Sequence, residues 1–324
     1  MNEISWGIIG CGDVTEVKSG PAFSKVPGSR LHAVMRRDAA KAAGYAARHG
    51  VPHWYSDAAA LLADPGVNAV YIATPPRYHE EYTLQALAAG KPVYVEKPMA
   101  TTEAAAARMA AAAERAGLPL VVAHYRRAQP LFRKVKELLD AGAIGRPLRA
   151  ELVLEEPHDA GLVARTAAPW RLDPAESGGG LFWDLAPHAL DLILHWFGSP
   201  EMTAGASWNA HGMYQVPDTT AGTACLPGGI LFQGRWCFGV PHKRDSCVLA
   251  GTGGSLRFSV FAPAPLVLER GGTETRFDFA PLPHVQEPMI AAVTDYFLGR
   301  GPNPAPAPEG VAVMRWMEAF GKIE

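Results

Sequence analysis

The chain has few cysteines, no long apolar run and almost no excess of charge of either sign. Its four cysteines, Cys11, Cys225, Cys237 and Cys247, include no C-x-x-C pair, which favours free thiols over disulfides or zinc ligands. No apolar run approaches the roughly 18 residues that a membrane-spanning helix needs. The formal net charge is -2, so the chain lacks the basic excess of a nucleic-acid-binding protein. These absences disfavour membrane and nucleic-acid partners, and they predict no metal site.

The composition is that of a globular protein with a substantial core. The chain has 324 residues, of which 48% are hydrophobic, enough for two domains that each bury a core. Residues 1–5, MNEIS, lack the basic and then apolar layout of a secretion signal, so we expect a cytoplasmic protein. We find no internal repeat and no low-complexity domain.

Short apolar runs alternate with alanine-rich, helix-like stretches from Ile4 to Ala123, a rhythm typical of βαβ units and a buried parallel sheet. The predicted strands are Ser5–Ile9, Leu31–Arg36, Ala69–Ala73, Val93–Val95 and Leu120–Ala123. The predicted helices are Asp38–His49, Asp57–Ala63, Arg77–Ala89 and Thr102–Ala116, several of which open on a capping Asp or Thr. Right-handed crossovers between such strands predict a doubly wound sheet.

After Gly145 the pattern changes to strands without intervening helices, which predicts a mostly antiparallel sheet. The predicted strands are Leu148–Leu154, Ala221–Leu226, Ile230–Phe238, Ser246–Ala250, Ser255–Val260 and Leu266–Glu269. One helix from about Asp184 to Phe197 interrupts them, and a last helix is predicted from Gly310 to Phe320. The proline-rich stretch 300–308 is predicted to be a surface linker.

The segment Gly10-Cys11-Gly12-Asp13-Val14-Thr15 fits the dinucleotide-binding pattern G-x-G-x-x-G/A except at its last position. It follows a predicted strand and opens a predicted helix, which makes it more specific than an isolated pair of glycines. Glycine lets the backbone approach a pyrophosphate, whose charge meets the positive end of the following helix. We therefore predict that residues 10–14 bind the cofactor.

The end of the second strand, Arg36-Arg37-Asp38, favours NADP over NAD. An NAD-binding chain usually has an acidic residue here for the ribose 2′-hydroxyl, whereas a guanidinium offers paired donors to a 2′-phosphate. Two alternatives stay open. Arg36 and Arg37 could be solvated turn residues, and Asp38 could be either a ribose ligand or the N-cap of the next helix.

Two further segments are predicted at the carboxyl ends of the strands, where ligands of open α/β sheets bind. Thr74-Pro75-Pro76 ends one strand and should line the nicotinamide side, with His79 in the next helical turn as either a cap or a catalytic group. Glu96-Lys97-Pro98 ends the next strand and places a lysine beside the nucleotide. Glu96 could orient Lys97 or pair with a helix on the sheet face.

A third motif lies in the second half of the chain. Asp184 and His188 are four residues apart and would share one helix face, where a carboxylate can stabilise a protonated imidazole. They follow the glycines 178–180, and Trp170-Arg171 precedes that run. Trp170 could stack on a sugar while Arg171 donates to its hydroxyls, although so large an aromatic residue is as often part of the core.

With these motifs in order along nearly its full length, the chain resembles the glucose-fructose oxidoreductase and inositol dehydrogenase (Gfo/Idh/MocA) family, and most of all its NADP-using sugar reductases. The resemblance implies an α/β fold, with a doubly wound Rossmann domain at 1–123 and a second α/β domain at 124–324 built on a large, open, mostly antiparallel sheet. The resemblance also allows the last helix to pack against the Rossmann domain. The family forms homodimers or homotetramers through that sheet.

The resemblance also implies site residues. Lys97, Asp184 and His188 match the catalytic set of the family, and Tyr125 and Arg126 match its substrate-binding segment. The predicted function is therefore hydride transfer between NADP and a sugar, polyol or related carbonyl compound, with Lys97 and His188 handling the proton. Two alternatives remain: a dinucleotide-assisted glycoside hydrolase of the same fold, and a non-catalytic nucleotide-sensing regulator.

Overall fold

The computed structural model describes residues 2–157, 170–212 and 215–321. It divides into two compact units, each made of two chain segments. The first unit consists of Met1–Gln129 and Leu282–Val311, and the second of Pro130–Pro281 and Ala312–Glu324. None of the helices within the described ranges is long and apolar enough to cross a membrane.

The first unit begins with alternating strands and helices. They are β1 (Ile4–Ile9), α1 (Asp13–Val17), β2 (Ser29–Met35), α2 (Ala39–His49), β3 (His53–Tyr55), α3 (Ala58–Ala63), β4 (Ala69–Ile72), α4 (His79–Ala88), β5 (Val93–Val95), α5 (Glu103–Ala116) and β6 (Leu120–Val122). Short 3-10 turns lie at Gly20–Ser24, Pro76–Tyr78 and Tyr125–Ala128. Asp38, Asp57 and Thr102 cap α2, α3 and α5 by accepting a backbone N–H, as their position before each apolar pattern predicts.

The six strands of this unit form one parallel sheet in the order β3-β2-β1-β4-β5-β6. This confirms the predicted doubly wound sheet. All of β1 is buried, and one side of the sheet carries a cluster of Trp6, Phe23, Tyr71 and Tyr94, whose rings pack 4.9–6.4 Å apart. Aromatic rings at these separations pack edge-to-face or offset, which stabilises the core beyond simple burial.

The second unit is built on one large sheet. Its elements are α6 (Pro130–Asp140), β7 (Pro147–Glu156), α7 (Pro174–Ser177), α8 (Leu181–Phe197), β8 (Met202–Trp208), β9 (Thr219–Leu226), β10 (Ile230–Phe238), β11 (Arg244–Gly251), β12 (Ser255–Phe258), β13 (Leu266–Arg270) and β14 (Thr273–Phe277). The strand order is β14-β13-β12-β11-β7-β10-β9-β8, and only the β7–β10 pairing is parallel. The mostly antiparallel sheet is confirmed.

The chain then forms α9 (Glu287–Phe297) and α10 (Ala307–Phe320). α9 belongs to the first unit, although its position in the sequence follows the whole second sheet. Within the second unit, Trp316 and Phe320 of α10 pack against Phe232 of β10, with ring centroids 5.0 and 6.3 Å apart. The last helix therefore covers the inner side of that sheet with its aromatic residues.

The prediction of a surface linker at 300–308 is wrong. Ala305 is fully buried, and its carbonyl oxygen accepts the backbone N–H of Val122 at 3.0 Å. Pro306 forms an isolated antiparallel bridge with Val121. The segment is rich in proline because it extends the edge of β6, where proline is tolerated since it need not donate to a further strand.

Candidate active site

The first group of predicted residues lies where the strand order of the parallel sheet reverses. β1 pairs with β2 on one side and with β4 on the other, and ligands of open α/β sheets bind at such a point. The backbone N–H groups of Gly10 and Cys11 both donate to the carbonyl oxygen of Met35, at 2.9 and 3.1 Å. The glycine loop is therefore fixed to the end of β2 before it turns into α1.

Gly10 is held in a conformation and a space that only glycine can occupy. Its φ is 96°, and a Cβ atom on it would lie 2.8 Å from the backbone nitrogen of Thr74 and 2.9 Å from the carbonyl carbon of Ala73. Within the described part of the chain, the buried hydroxyl of Thr74 has no hydrogen-bond partner, so it can bind a ligand. A bare loop backbone beside a spare hydroxyl fits the phosphates of a dinucleotide.

The departure of the loop from the pattern, at Thr15, is explained by local hydrogen bonds. The Thr15 hydroxyl donates to the carbonyl oxygen of Gly12 at 2.7 Å, and the Tyr45 hydroxyl donates to the carbonyl oxygen of Thr15 at 2.9 Å. The fully buried side chain thus folds back on its own turn. Asp13 is exposed and Val14 is half-buried in α1, which is only five residues long.

Cys11 packs inside the loop. Its side chain is fully buried, and burial raises the pKa of the thiol to about 11. The thiol therefore stays protonated near neutral pH and fills space without acting as a nucleophile.

The end of β2 presents guanidinium groups rather than a carboxylate. Arg36 donates to the carbonyl oxygen of Cys11 at 3.3 Å, and the guanidinium carbon of Arg37 lies 4.9 Å from the ring centroid of Tyr78. Asp38 accepts the backbone N–H of Lys41 at 3.1 Å, which makes it the N-cap of α2. Arg36 therefore contacts the glycine loop, and the Asp38 carboxylate is engaged by its own helix.

His79 links the loops that follow β4 and β5. The ring is fully buried, with Nε2 2.8 Å from the carbonyl oxygen of Thr74 and Nδ1 2.9 Å from that of Pro98. Thr74 and Pro75 are half-buried and Pro76 is buried at the start of the same turn. His79 thus ties the predicted nicotinamide side to the segment that carries Lys97.

This burial predicts a pH-dependent stability. Burial lowers the pKa of His79 from its ordinary 6.5 by more than its carbonyl acceptors raise it. Below pH 6.5 the unfolded chain binds a proton that the folded chain does not bind. The free energy of unfolding therefore decreases as the pH is lowered, by up to about 1.4 kcal/mol per pH unit. We expect His79→Gln to weaken this fall in denaturant unfolding between pH 7.5 and 5.5. His53→Gln, at an exposed position, is the control, and equal slopes in wild type and His79→Gln would contradict the assignment.

The Glu96 carboxylate is buried in a network of hydrogen bonds. Its Oε1 accepts from the Tyr71 hydroxyl and from the Gln286 amide, the latter at 2.6 Å, and its Oε2 accepts the backbone N–H of Lys97 at 3.1 Å. The Tyr94 hydroxyl donates to Gln286 at 3.2 Å. Glu96 therefore bonds to the backbone at Lys97 and to Gln286, the N-cap of α9, and its role in orienting the Lys97 side chain stays a prediction.

Lys97 and the segment after β6 follow neighbouring strands of the parallel sheet. Lys97 is half-buried, and the peptide bond after it is cis. Tyr125 is buried and Arg126 half-buried, with the guanidinium carbon 5.7 Å from the Tyr125 ring centroid. The next residue, Arg127, is buried and forms an ion pair with Glu309. Lys97, Tyr125 and Arg126 thus lie along the same edge of the sheet as the glycine loop.

The second group of predicted residues lies at the start of α8. Asp184 and His188 share one face of this helix, as their spacing predicts. The Nε of Arg171 donates to Asp184 at 3.0 Å, and the guanidinium carbon of Arg171 lies 4.3 Å from the Trp170 ring centroid. The structure therefore brings Trp170, Arg171 and Asp184 into one chain of contacts, a link that spacing alone did not reveal.

The glycine run before α8 shapes the entry to this helix. The Ser177 hydroxyl accepts the backbone N–H of Gly179 at 3.3 Å and of Gly180 at 2.9 Å. Gly180 has a φ of 80° and is the N-cap of α8, and a Cβ atom there would collide with the Val216 side chain. The run is thus a compact turn that fixes where α8 begins, and with it the positions of Asp184 and His188.

The residues that hold His188 were not predicted from the sequence. The imidazole is only 5% exposed, and the Phe261 ring meets it edge-to-face with centroids 5.5 Å apart. Asp245 fixes that turn, because its carboxylate accepts the backbone N–H groups of Val260, Phe261 and Ala262 at 3.0, 2.6 and 2.7 Å. No sequence motif indicated this contact, because more than 70 positions separate His188 from Phe261.

The predicted site residues thus form two groups, one on each unit. The first unit carries Gly10, Cys11, Gly12, Asp13, Val14, Arg36, Arg37, Thr74, Pro75, Pro76, His79, Glu96, Lys97, Tyr125 and Arg126. The second carries Trp170, Arg171, Asp184 and His188. That the two groups act on one substrate stays a prediction.

Two family models match this chain. The model described as "Oxidoreductase family, NAD-binding Rossmann fold" matches residues 4–124, and the GFO/IDH/MocA C-terminal domain matches residues 132–257. The predicted family resemblance is confirmed.

Curated relatives match over nearly the whole chain. Oxidoreductase P35 from Formosa agariphila is 40% identical over 319 residues, which cover 98% of this chain and 98% of the relative. The 1,5-anhydro-D-fructose reductase of Ensifer adhaerens is 29% identical over 325 residues, covering 98% of this chain and 93% of that protein. Among solved structures, an oxidoreductase from Agrobacterium radiobacter in complex with NAD+, L-tartaric acid and magnesium superposes with a TM-score of 0.86 at 23% identity, covering 98% of this chain and 95% of that one.

Proposed function

This chain belongs to the Gfo/Idh/MocA family of oxidoreductases, and on that premise we propose that it transfers a hydride between NADP and a sugar, polyol or related carbonyl compound. The observation that carries the proposal is the edge of the parallel sheet, where the glycine loop, Thr74 and Lys97 follow the neighbouring strands β1, β4 and β5. A relative that spans nearly the same length is a 1,5-anhydro-D-fructose reductase, which supports a sugar-like substrate.

The proposed cofactor is NADP(H) rather than NAD(H). When bound, it supplies or accepts the hydride. Residues 10–14 and the turn at 74–76 would hold its phosphates and nicotinamide side, while Arg36 and Arg37 would donate to the 2′-phosphate. The support is that Asp38, the acid nearest to a ribose-binding position, already accepts the N–H of Lys41 and so caps α2.

Lys97 and His188 are proposed to handle the proton at the oxygen of the reacting carbon. In the reducing direction His188 donates as the general acid, and the Lys97 ammonium stabilises the developing alkoxide or relays a proton; in oxidation the roles reverse. Asp184 is held by Arg171 on the same helix face as His188, where its charge favours the imidazolium form. Tyr125, Arg126 and Trp170 are proposed to contact the substrate.

We also propose a homodimer or homotetramer through the outer face of the second sheet. Large apolar side chains are exposed there: Met202 at 69%, Trp208 at 44% and Leu231 at 43%. Met202 and Leu231 lie opposite the same residue, Cys225, and so in one row across β8, β9 and β10. Sedimentation that shows only monomer would contradict this. We likewise propose that the first unit binds the cofactor, that the second unit binds the substrate, and that the protein is cytoplasmic.

Fluorescence titration of the purified protein with NADPH and NADH tests the cofactor. We expect NADPH to bind at least tenfold more tightly, because a bidentate arginine–phosphate contact has no counterpart in NADH. Turnover with 1,5-anhydro-D-fructose, D-glucose and myo-inositol then tests the substrate class, with one cofactor converted per product. Binding of NADPH without turnover of any carbonyl or polyol would support the regulator, and cofactor-neutral release of an aglycone would support the hydrolase.

A further inference from the structure

The ring of Tyr78 lies close to the guanidinium groups of two arginines from separate parts of the first unit. The guanidinium carbon of Arg37, just after β2, lies 4.9 Å from the ring centroid, and that of Arg77 lies 5.5 Å away. Tyr78 ends the 3-10 turn that follows β4, and its ring lies 6.3 Å from that of Tyr82 in α4. β2 and β4 both flank β1, so the cluster stands at the edge of the sheet where the glycine loop begins.

A cavity of about 570 Å³ adjoins this cluster. It lies between α3 and α4, and its wall includes Arg37, Asp57 and Tyr82. The apolar part of the wall consists of five alanines, Leu62 and Met35, and the polar part consists of Arg37, Tyr82, Asp57, Glu81, Ser56 and Gln85. Such a concave, mostly apolar site with a few convergent polar groups is typical of small-molecule binding.

The charge of the cluster selects the ligand chemistry. Arg37 and Arg77 bring two guanidinium groups to one ring, and Arg36 adds a third where it contacts the glycine loop through Cys11. A dianionic phosphate monoester can accept several guanidinium donors at once, whereas a hydroxyl group cannot.

We propose that Arg77, which shares the Tyr78 ring with Arg37, is a specificity-determining residue for the 2′-phosphate of NADP. The inference rests on the proposed function and extends it, because the sequence pattern pointed only to Arg36 and Arg37. The segment after β4 would then contact the cofactor at two places. Thr74 and Pro75 line the dinucleotide, and Arg77 in the 3-10 turn binds its 2′-phosphate.

The test is binding, measured by titration calorimetry on the intact protein with NADPH, NADH, 2′,5′-ADP and 5′-AMP. Arg77→Gln should weaken NADPH and 2′,5′-ADP about tenfold or more and leave NADH and 5′-AMP within twofold, and the loss should shrink at high salt. Arg77→Lys should recover only part of the affinity, because an ammonium cannot bind a phosphate bidentately. Arg115→Gln, an exposed arginine in the last turn of α5, is the matched control and should change nothing.

The outcomes separate the two proposals. If the wild type binds NADPH and NADH alike, the NADP preference fails and the role of Arg77 fails with it. If the wild type prefers NADPH but Arg77→Gln binds it normally, or loses NADPH and NADH equally, only the role of Arg77 is overturned. A melting temperature of Arg77→Gln equal to that of the wild type shows that the exposed side chain was not needed for folding.

Discussion

Lys97→Met should lower kcat by about 10²–10⁴-fold while the dissociation constant of NADPH changes by less than threefold. The methionine keeps the length and the apolar stem of the side chain but removes the charge and the proton that Lys97 is proposed to place at the reacting oxygen. The Glu96 carboxylate should remain in place, because it bonds to the backbone N–H at position 97 and not only to side chains. Steady-state turnover of whichever carbonyl or polyol compound the substrate panel identifies, together with NADPH fluorescence titration, measures both quantities.

The controls for this result lie on the same chain. Lys136→Met removes another half-buried lysine, one that pairs with Asp140 in α6, and should leave kcat unchanged. His188→Asn should lose turnover to a similar degree, because it removes the second group that is proposed to exchange the proton. Normal turnover in Lys97→Met and His188→Asn would end the assignment, and loss of NADPH binding in Lys97→Met would point to a role in holding the cofactor.

Gly10→Ala should abolish measurable dinucleotide binding, with a loss of at least a hundredfold in affinity. The added Cβ would lie 2.8 Å from the backbone nitrogen of Thr74, so either the loop or the end of β4 has to move. Either movement displaces the hydroxyl of Thr74 and the bare backbone that is proposed to approach the phosphates. Titration with NADPH at concentrations up to the millimolar range measures the loss.

Gly50→Ala is the control, because it introduces backbone strain without a steric clash. Gly50 also has a positive φ, 64°, as the residue that ends α2, but nothing lies within 4 Å of where its Cβ would be. It should cost about 1 kcal/mol of stability and leave NADPH affinity intact. Equal losses of NADPH affinity in the two variants would mean that the Gly10 loop does not bind the cofactor.

Much of the fold could be predicted because its elements are regular and locally encoded. Buried strands such as β1 and β10 are continuous or alternating apolar runs, and α2 and α5 begin at a capping Asp or Thr and end at Gly50 and Gly117. The last residue of several strands was less certain. Arg36, for example, lies just after β2, although its backbone N–H still donates to the carbonyl oxygen of Tyr55 at the end of β3.

Other elements were missed, some because their stability comes from distant parts of the chain and two, α6 and α9, although the sequence carried a signal. β3 has only three residues and is partly exposed, so it shows no apolar pattern and exists by pairing with β2. α6 and α9 do carry apolar periodicity, at Phe132 and Val135 and at Ile290 and Val293, and this signal was available in the sequence. The segment at 300–308 has no local signal at all, since its burial depends on the exposed edge of β6.

The candidate site shows the same division. Motif spacing indicated Gly10, Lys97 and His188, because each belongs to a short run of residues. The contacts that hold these residues in place could not be predicted from the sequence. Glu96 accepts a hydrogen bond from Gln286, 190 positions away. Phe261 contacts His188 from the turn that Asp245 fixes.

The bond between Glu96 and Gln286 has a consequence for synthesis on the ribosome. The nascent first unit has to wait for Gln286 while more than 150 residues of the second unit emerge, so until then its central carboxylate lacks one of its three hydrogen-bond donors. A fragment that stops near residue 129 would keep every strand of the parallel sheet but would lack this amide and α9, and it should be prone to aggregate, whereas 1–129 joined by a short linker to 282–311 restores both. A segment that is translated after the second sheet therefore completes the part that was translated first.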